Sequence, residues 1–202
     1  MSAVGRVAMR SGLWLASCLM ERVWVVGNSG SGKSTLARRL AAAIGAPHSE
    51  LDAIFHQPGW TELAQDEFRR RVEAVVKGPS WVVDGNYRAV ADIIRTRADT
   101  VVWIDLPRWR VMRQLGFRTL LRGARRTELW NGNRESLRNF LSLDKEKSIL
   151  VWAWTQHEDY RRRYLELVEA APSGLQVVRL QTPAEVEAFP ARAVPPTSCS
   201  ST

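Results

Sequence analysis

The segment that decides the fold of this chain is the run GNSGSGKST, from Gly27 to Thr35. It fits the pattern GxxxxGK[ST] and lies between a short apolar run, Val23 to Val26, and a stretch whose apolar residues recur every four positions. This order is typical of a strand, a loop and a helix. Glycines let the loop curl so that successive amide groups face phosphate oxygens, and the positive end of the helix strengthens that attraction. The sequence therefore predicts a P-loop that binds the phosphates of a nucleoside triphosphate.

Every residue of this loop is a predicted cofactor ligand, and the expected cofactors are ATP and Mg²⁺. Lys33 is expected to reach the β- and γ-phosphates, Ser34 to ligate Mg²⁺, and Thr35 to contact the α-phosphate. The other predicted ligands are Gly27, Asn28, Ser29, Gly30, Ser31 and Gly32.

Length and composition limit the possible classes of protein. With 202 residues, 45% of them hydrophobic, the chain is expected to form one well-buried domain. It lacks the run of about 18 apolar residues that a membrane span needs. Cys18 and Cys199 lie outside every periodic segment, which favours a reducing cytoplasm over a structural disulfide. The net charge of +8 attracts anions without choosing among nucleotides, nucleic acid and acidic lipids.

The two ends of the chain are predicted to lie outside that domain. Arg6 and Arg10 followed by residues 12–20 faintly resemble a secretory signal, but Ser11, Gly12 and Ser17 interrupt the apolar run. Residues 1–21 are therefore interpreted as a disordered extension, or as an over-long start with initiation at Met20. Residues 190–202 are rich in Pro, Ser and Thr without apolar periodicity, which indicates a disordered tail. The predicted domain is 22–189.

Between these ends, predicted strands alternate with predicted helices, which demands a parallel sheet covered by helices on both faces. The strands are expected at 23–26, 49–55, 81–83, 100–104 and 175–180, and the helices at 35–44, 66–77, 89–97, 109–122, 135–141, 148–170 and from 183 onward. Ligands of such sheets bind beyond the carboxyl ends of the strands. Gly27, Asp52, Asp84 and the loop after Asp105 are therefore expected to converge on one crevice.

Several blocks of the sequence resemble the adenylate-kinase-like ATPases known as DNA topology modulation proteins, over roughly Arg22 to Phe189. The blocks are GNSGSGKST (27–35), LDAIFHQPGW (51–60), WVVDGNYR (81–88), RADTVVWIDLPRW (97–109), NGNRES (131–136) and ILVWAW (149–154). The resemblance implies an α/β fold, a P-loop NTPase three-layer sandwich like that of nucleoside monophosphate kinases. It also implies a five-stranded parallel sheet and an arginine-rich lid, here at about residues 113–138.

The third predicted strand carries a second motif of this resemblance. Adenylate kinases have a motif like DGFPR at this point, and the present chain reads Asp84-Gly85-Asn86-Tyr87-Arg88, which lacks the Phe-Pro pair. The resemblance implies that Asp84 holds Mg²⁺ through water and that Arg88 grips a phosphate or carboxylate of the acceptor. The alternative is that Asp84 is a turn residue and Arg88 a surface side chain.

Two further aspartates follow predicted strands. Asp52 occupies the place of a carboxylate that, in kinases resembling gluconate and shikimate kinases, meets the acceptor hydroxyl, so it is a candidate general base or positioning residue. It favours a hydroxyl-bearing acceptor over a phosphate. His56 is interpreted as an ordinary loop histidine, because a lone Asp/His pair is a poor metal site. Asp105 is expected to help hold Mg²⁺ or to cap the loop at Pro107.

Arginines crowd the segment after the fourth predicted strand, namely Arg108, Arg110, Arg113, Arg118, Arg122, Arg125 and Arg126. Planar guanidinium groups stabilise charge on a transferring phosphoryl group. Arg118 and Arg122 are the favoured catalytic arginines, with Arg134 and Arg138 next. The alternative for any one of them is a solvated helix face.

Three hypotheses of function follow. The leading one is an ATP-dependent phosphotransferase acting on a small anionic or hydroxylated acceptor. The second is a nucleotide-dependent regulatory or nucleic-acid-binding ATPase in which Trp109, Phe117 and Trp130 stack on bases. The third is a slow ATPase without a dedicated acceptor.

Overall fold

The computed structural model describes residues 20–125, 131, 149–172 and 174–193, and every structural statement below refers to these. Their strands form one sheet of five, all parallel, in the order β2-β3-β1-β4-β5. The strands are β1 Arg22–Gly27, β2 His48–Glu50, β3 Trp81–Asp84, β4 Thr100–Ile104 and β5 Gln176–Leu180.

Helices connect the strands on both faces of the sheet. They are α1 Lys33–Ile44, α2 Leu51–Phe55, α3 Gln65–Val75, α4 Ala91–Arg97, α5 Arg108–Arg125, α6 Ile149–Glu169 and α7 Pro183–Ala193. Short 3₁₀ turns cover Pro58–Trp60 and Arg88–Val90. Among the described residues, no helix is both long enough and apolar enough to cross a membrane.

The sheet separates two hydrophobic cores, as its alternating side chains require. Successive residues of a strand face opposite sides of a sheet. Val23 and Val25 of β1 accordingly pack in the core that contains α1 and α7, while Trp24 and Val26 pack in the core that contains α3, α4 and α6. The predicted three-layer α/β fold with a five-stranded parallel sheet is confirmed.

The predicted strand 49–55 is wrong over most of its length. β2 spans only His48–Glu50, and α2 begins at once with Leu51. β2 pairs with β3 alone, and its last partner is Asp84, the final residue of β3. Backbone beyond Glu50 therefore has no neighbouring strand to bond with, and a helical turn satisfies its amide and carbonyl groups instead. This change of direction carries Asp52 over the end of the sheet.

The predicted boundary between domain and tail is also displaced. α7 continues through Ala193, four residues into the segment 190–202 that was expected to be disordered, and Phe189, Pro190 and Ala193 are buried. Arg39 of α1 bonds to the side chain and the carbonyl oxygen of Glu187, which anchors this helix. The predicted helix 135–141, residues 1–19 and residues 194–202 lie outside the described residues.

The junction of β3 and α2 permits no side chain at Gly85, which gives a test of the fold. Gly85 has a φ of 136°, and an added Cβ would lie 2.7 Å from the Cβ of Leu51. Overpacking and left-handed strain together lead us to expect that Gly85→Ala lowers the free energy of unfolding by about 2–4 kcal/mol in urea titrations. Gly78→Ala is the matched control, because its added Cβ would meet nothing closer than 3.6 Å. Equal losses in the two variants would contradict the packing described here.

Candidate active site

An open cleft of about 1310 Å³ lies beyond the carboxyl ends of the strands. Its walls come from the P-loop, α2, the loop after β3, α5 and α6. Ligand pockets for one small molecule measure roughly 300–1,000 Å³, so this cleft has room for a nucleotide and a second molecule side by side. The P-loop from Ser29 onward, Asp52, Gly85 after Asp84 and Leu106 after Asp105 line this cleft, as predicted, whereas Gly27 itself does not.

The P-loop has the geometry of an anion cradle. Gly30 and Gly32 have φ angles of 82° and 96°, which curl the loop around the start of α1. α1 begins at Lys33 without a side chain capping its first amides, so these donors remain available. The hydroxyl of Ser31 is buried and has no hydrogen-bond partner among the described residues, although it lies in the cleft wall. These donors are placed to bind a phosphate group at the start of α1.

Close packing against α5 holds this loop in place. A Cβ on Gly30 would lie 2.7 Å from the Cβ of Leu115, so only glycine allows the loop to touch the helix. Arg118 follows Leu115 by three residues and lines the cleft, as predicted. The loop and this arginine are therefore positioned by one helix.

Lys33 lies at the centre of the electrostatics of the cleft. Its Nζ donates a hydrogen bond to the carbonyl oxygen of Asn28 at 3.1 Å. Burial lowers the pKa of Lys33, and Asp52 and Asp84 oppose that shift, while Arg118 adds to it. A cation held in such a poorly hydrated place gains strongly from the arrival of phosphate oxygens.

The residues predicted to hold Mg²⁺ divide into a pair that fits and one that does not. The Ser34 hydroxyl donates to Asp84 Oδ1 at 3.0 Å, and the Asp84 side chain is only 4% exposed. Hydroxyl and carboxylate oxygens are suitable donors for Mg²⁺. The expectation that Asp105 helps to hold Mg²⁺ is corrected by the structure. Arg179 and Arg161 pair with the Asp105 carboxylate, and Asp105 does not line the cleft. The reason is its place beside β5, whose Arg179 neutralises it.

The two positions at which the chain departs from DGFPR carry contacts that the sequence did not reveal. Asn86 Oδ1 accepts from the Gly27 amide at 3.3 Å, and its Nδ2 donates to the Gly27 carbonyl at 2.5 Å. The hydroxyl of Tyr164 on α6 donates to Asn86 Oδ1 at 3.0 Å. Asn86 thus joins the start of the P-loop to α6.

Tyr87, the second departure, holds Asp52. Its hydroxyl donates to Asp52 Oδ1 at 2.7 Å and lies 3.4 Å from His56 Nε2. Burial and the charge of Asp52 raise the pKa of Tyr87 far above its usual value, so the phenol keeps its proton and remains a donor. Rings of Phe55 and Phe68 pack on Tyr87, with centroids 4.8 and 5.1 Å away. Asp52 is therefore held through one of its two carboxylate oxygens, Oδ1.

The part of the cleft away from the P-loop is lined by cations and aromatic rings. Arg88 lies in this wall, as predicted, together with His56 and Trp60. α6 adds Tyr160 and Arg163, which sequence reasoning missed, and the Arg163 guanidinium lies 5.1 Å from the Tyr160 ring centre. Their i, i+3 spacing on a helix was the available signal. This half of the cleft suits an anionic molecule with polar and apolar surface.

Residues 126–130 and 132–138 of the predicted lid fall outside the described residues. Arg122 belongs to α5, but its side chain is outside the described part, as are Arg134 and Arg138. Asn131 is described, and its side-chain amide donates to the carbonyl oxygens of Ala53 at 3.2 Å and His56 at 2.5 Å. This residue of the lid segment therefore contacts α2, next to Asp52.

Two of the three aromatic residues expected to stack on nucleic acid are described, and both lie outside the cleft. Trp109 and Phe117 are 57% and 66% exposed, and neither lines it. Trp130 lies outside the described residues. Nucleic-acid binding remains a prediction.

Comparisons with known proteins find shikimate kinases similar to this chain in sequence and in fold. The shikimate kinases of Mycobacterium ulcerans and Mycobacterium marinum are each 33% identical to this chain over 121 residues, which is 52% of this chain and 66% of theirs. The match thus spans just under two thirds of these relatives. No family model matches the chain. The shikimate kinase of Bacteroides thetaiotaomicron superposes with a TM-score of 0.50 at 12% identity, over 86% of this chain and 96% of its own.

The chain therefore has the fold of the adenylate-kinase-like P-loop kinases. The comparisons support that broad group, and they do not support the narrower resemblance to DNA topology modulation proteins.

Proposed function

We propose that this protein transfers a phosphoryl group from ATP to a hydroxyl group of a small anionic metabolite. The observation that carries the proposal is the Asp52 carboxylate, which Tyr87 holds at 2.7 Å in the same cleft as the P-loop lysine. A nucleoside monophosphate acceptor presents an ionised phosphate oxygen and needs no base. A hydroxyl acceptor must lose a proton, and a held carboxylate can accept it.

The residues of the cleft divide the work of the reaction. Asp52 takes the proton of the acceptor hydroxyl as the hydroxyl oxygen attacks the γ-phosphorus of ATP. The bond from that phosphorus to the bridging oxygen breaks, and ADP leaves. Lys33 and Arg118 stabilise the negative charge that spreads over the transferred group. Bound ATP would supply the phosphoryl group, and Ser34 and Asp84 would hold the Mg²⁺ ion that accompanies it. The P-loop amides orient the phosphates for in-line transfer.

The arginines in the part of the cleft away from the P-loop indicate that the acceptor carries a negative charge. Arg88 and Arg163 line the cleft beside the ring of Tyr160. Guanidinium groups bind carboxylates and phosphates with two parallel hydrogen bonds, and the aromatic ring covers a carbon skeleton. A hydroxylated carboxylate fits this wall. The two similar mycobacterial enzymes are named shikimate kinases, and shikimate is a carboxylate that bears hydroxyl groups. This supports a hydroxylated carboxylate as the acceptor.

The decisive experiment incubates the protein with Mg-ATP and two sets of acceptors. One set contains hydroxylated carboxylates, including shikimate and gluconate, and the other contains nucleoside monophosphates. Mass spectrometry detects a phosphorylated product and a coupled assay measures ADP. We expect product and ADP in equal amounts with a member of the first set.

The remaining outcomes separate the competing hypotheses. Phosphorylation of nucleoside monophosphates alone would show that the base argument is wrong. ADP release that no acceptor in either set accelerates would support the slow ATPase instead. Arg88→Lys, tested on the active acceptor, is expected to raise its KM by about tenfold, because a lysine cannot make the paired hydrogen bonds of a guanidinium.

A further inference from the structure

Three metal-ligating side chains meet at the edge of the sheet beside the P-loop. They are His48 and Glu50 of β2 and Asp84 of β3, and one ligand atom from each lies within 4.8 Å of the others. His48 and Glu50 are two positions apart on a strand, so they face the same side, and Glu50 is paired with Asp84 in the sheet register. The backbone itself brings these groups together.

The group is partly buried and tightly spaced. His48 Nε2 lies 2.7 Å from Asp84 Oδ2, and the two side chains are 14% and 4% exposed. Glu50 lines the cleft, which gives an ion a route from solvent. Ligand atoms bound at about 2.0–2.2 Å from one tetrahedral ion lie about 3.3–3.6 Å from each other, so small side-chain adjustments suffice to close this site.

The chemistry of the donors selects the ion. Imidazole nitrogen is a ligand preferred by Zn²⁺, Co²⁺ and other first-row transition metals, whereas Mg²⁺ takes oxygen ligands. We propose that His48, Glu50 and Asp84 bind a divalent transition-metal ion, with a fourth position open to water.

This site is separate from the magnesium position of the proposed function, although the two share Asp84. Ser34 contacts Oδ1 of Asp84, whereas His48 contacts Oδ2. The transition-metal ion therefore lies on the β2 side of the carboxylate. Its binding needs neither nucleotide nor phosphoryl transfer, so the proposal stands apart from the kinase reaction.

Titration of the nucleotide-free protein with Co²⁺, followed by visible absorption, tests the site. We expect one bound Co²⁺ per chain, displaced by an equal amount of Zn²⁺ and retained in about 100-fold excess of Mg²⁺. His48→Gln is expected to lower the Co²⁺ affinity by more than about 100-fold, because losing only an outer-sphere partner costs about 10- to 100-fold. His56→Gln is the matched control, since it removes the other histidine near the cleft and is expected to leave Co²⁺ binding unchanged.

The outcomes are distinct. Unchanged affinity in His48→Gln, or a loss limited to about 100-fold, overturns the proposal, because an inner-sphere ligand costs more. A larger loss in His56→Gln than in His48→Gln overturns it too. Thermal unfolding checks that both variants are folded, and Glu50→Gln replaces His48→Gln if the latter is not. Lys33→Met is expected to retain the cobalt spectrum, which separates failure of this site from failure of the kinase hypothesis.

Discussion

Lys33→Met is expected to lower the rate of phosphoryl transfer by at least about 10²- to 10³-fold, the usual effect of removing one donor that faces transition-state charge. Methionine keeps most of the volume of the lysine side chain, so the effect reports the lost charge. The loss should appear in kcat and also in ATP binding, because Lys33 lies in the P-loop with its Nζ bonded to the Asn28 carbonyl oxygen, where it is expected to meet the phosphates in the ground state and in the transition state. Steady-state assays with the active acceptor, together with calorimetric titration of ATP, measure the two effects.

Lys77→Met makes the same chemical change outside the cleft. The Lys77 side chain is 65% exposed, and its Nζ lies as far as 4.0 Å from a carboxylate oxygen of Glu73. An ion pair this long and this exposed contributes little to stability. We expect this variant to match the unaltered protein in kcat and in ATP affinity. Equal activity of the two methionine variants would mean that the P-loop lysine does not act on the phosphates.

Asp52→Asn is expected to lower kcat by about 10²- to 10⁴-fold while ATP affinity stays nearly constant. The amide keeps the shape of the carboxylate but cannot accept the hydroxyl proton. The division between kcat and ATP binding distinguishes a base on the acceptor side from a ligand of the nucleotide. Single-turnover measurements on the preformed complex with ATP isolate the chemical step.

Two variants control this result. Asp66→Asn changes an exposed aspartate of α3, outside the cleft, and is expected to be silent. Tyr87→Phe keeps the ring packed on Phe55 and Phe68 but removes the hydrogen bond to Asp52, so its loss of kcat should be smaller than that of Asp52→Asn. If Asp52→Asn were as active as Asp66→Asn, Asp52 would not be the base.

The sheet and the P-loop were predictable because their signals are local. The run Val23 to Val26, the glycines and the four-residue spacing within α1 each express a preference of a few neighbouring residues. β4 was predicted at its observed bounds, Thr100–Ile104, for the same reason. The order of the strands was not available from such patterns, because it depends on which buried surfaces meet.

The amino-acid sequence by itself determined the layered α/β architecture, the phosphate cradle and the candidacy of Asp52 and Asp84. Only the tertiary structure decided which side chains meet these groups. Tyr87 reaches Asp52 across 35 residues of chain, His48 reaches Asp84 across 36, and Asn86 reaches Gly27 across 59. In the same way, Arg179 reaches the Asp105 carboxylate across 74 residues. Such pairs arise because parallel strands align residues that are distant in the chain, and no local pattern encodes that alignment.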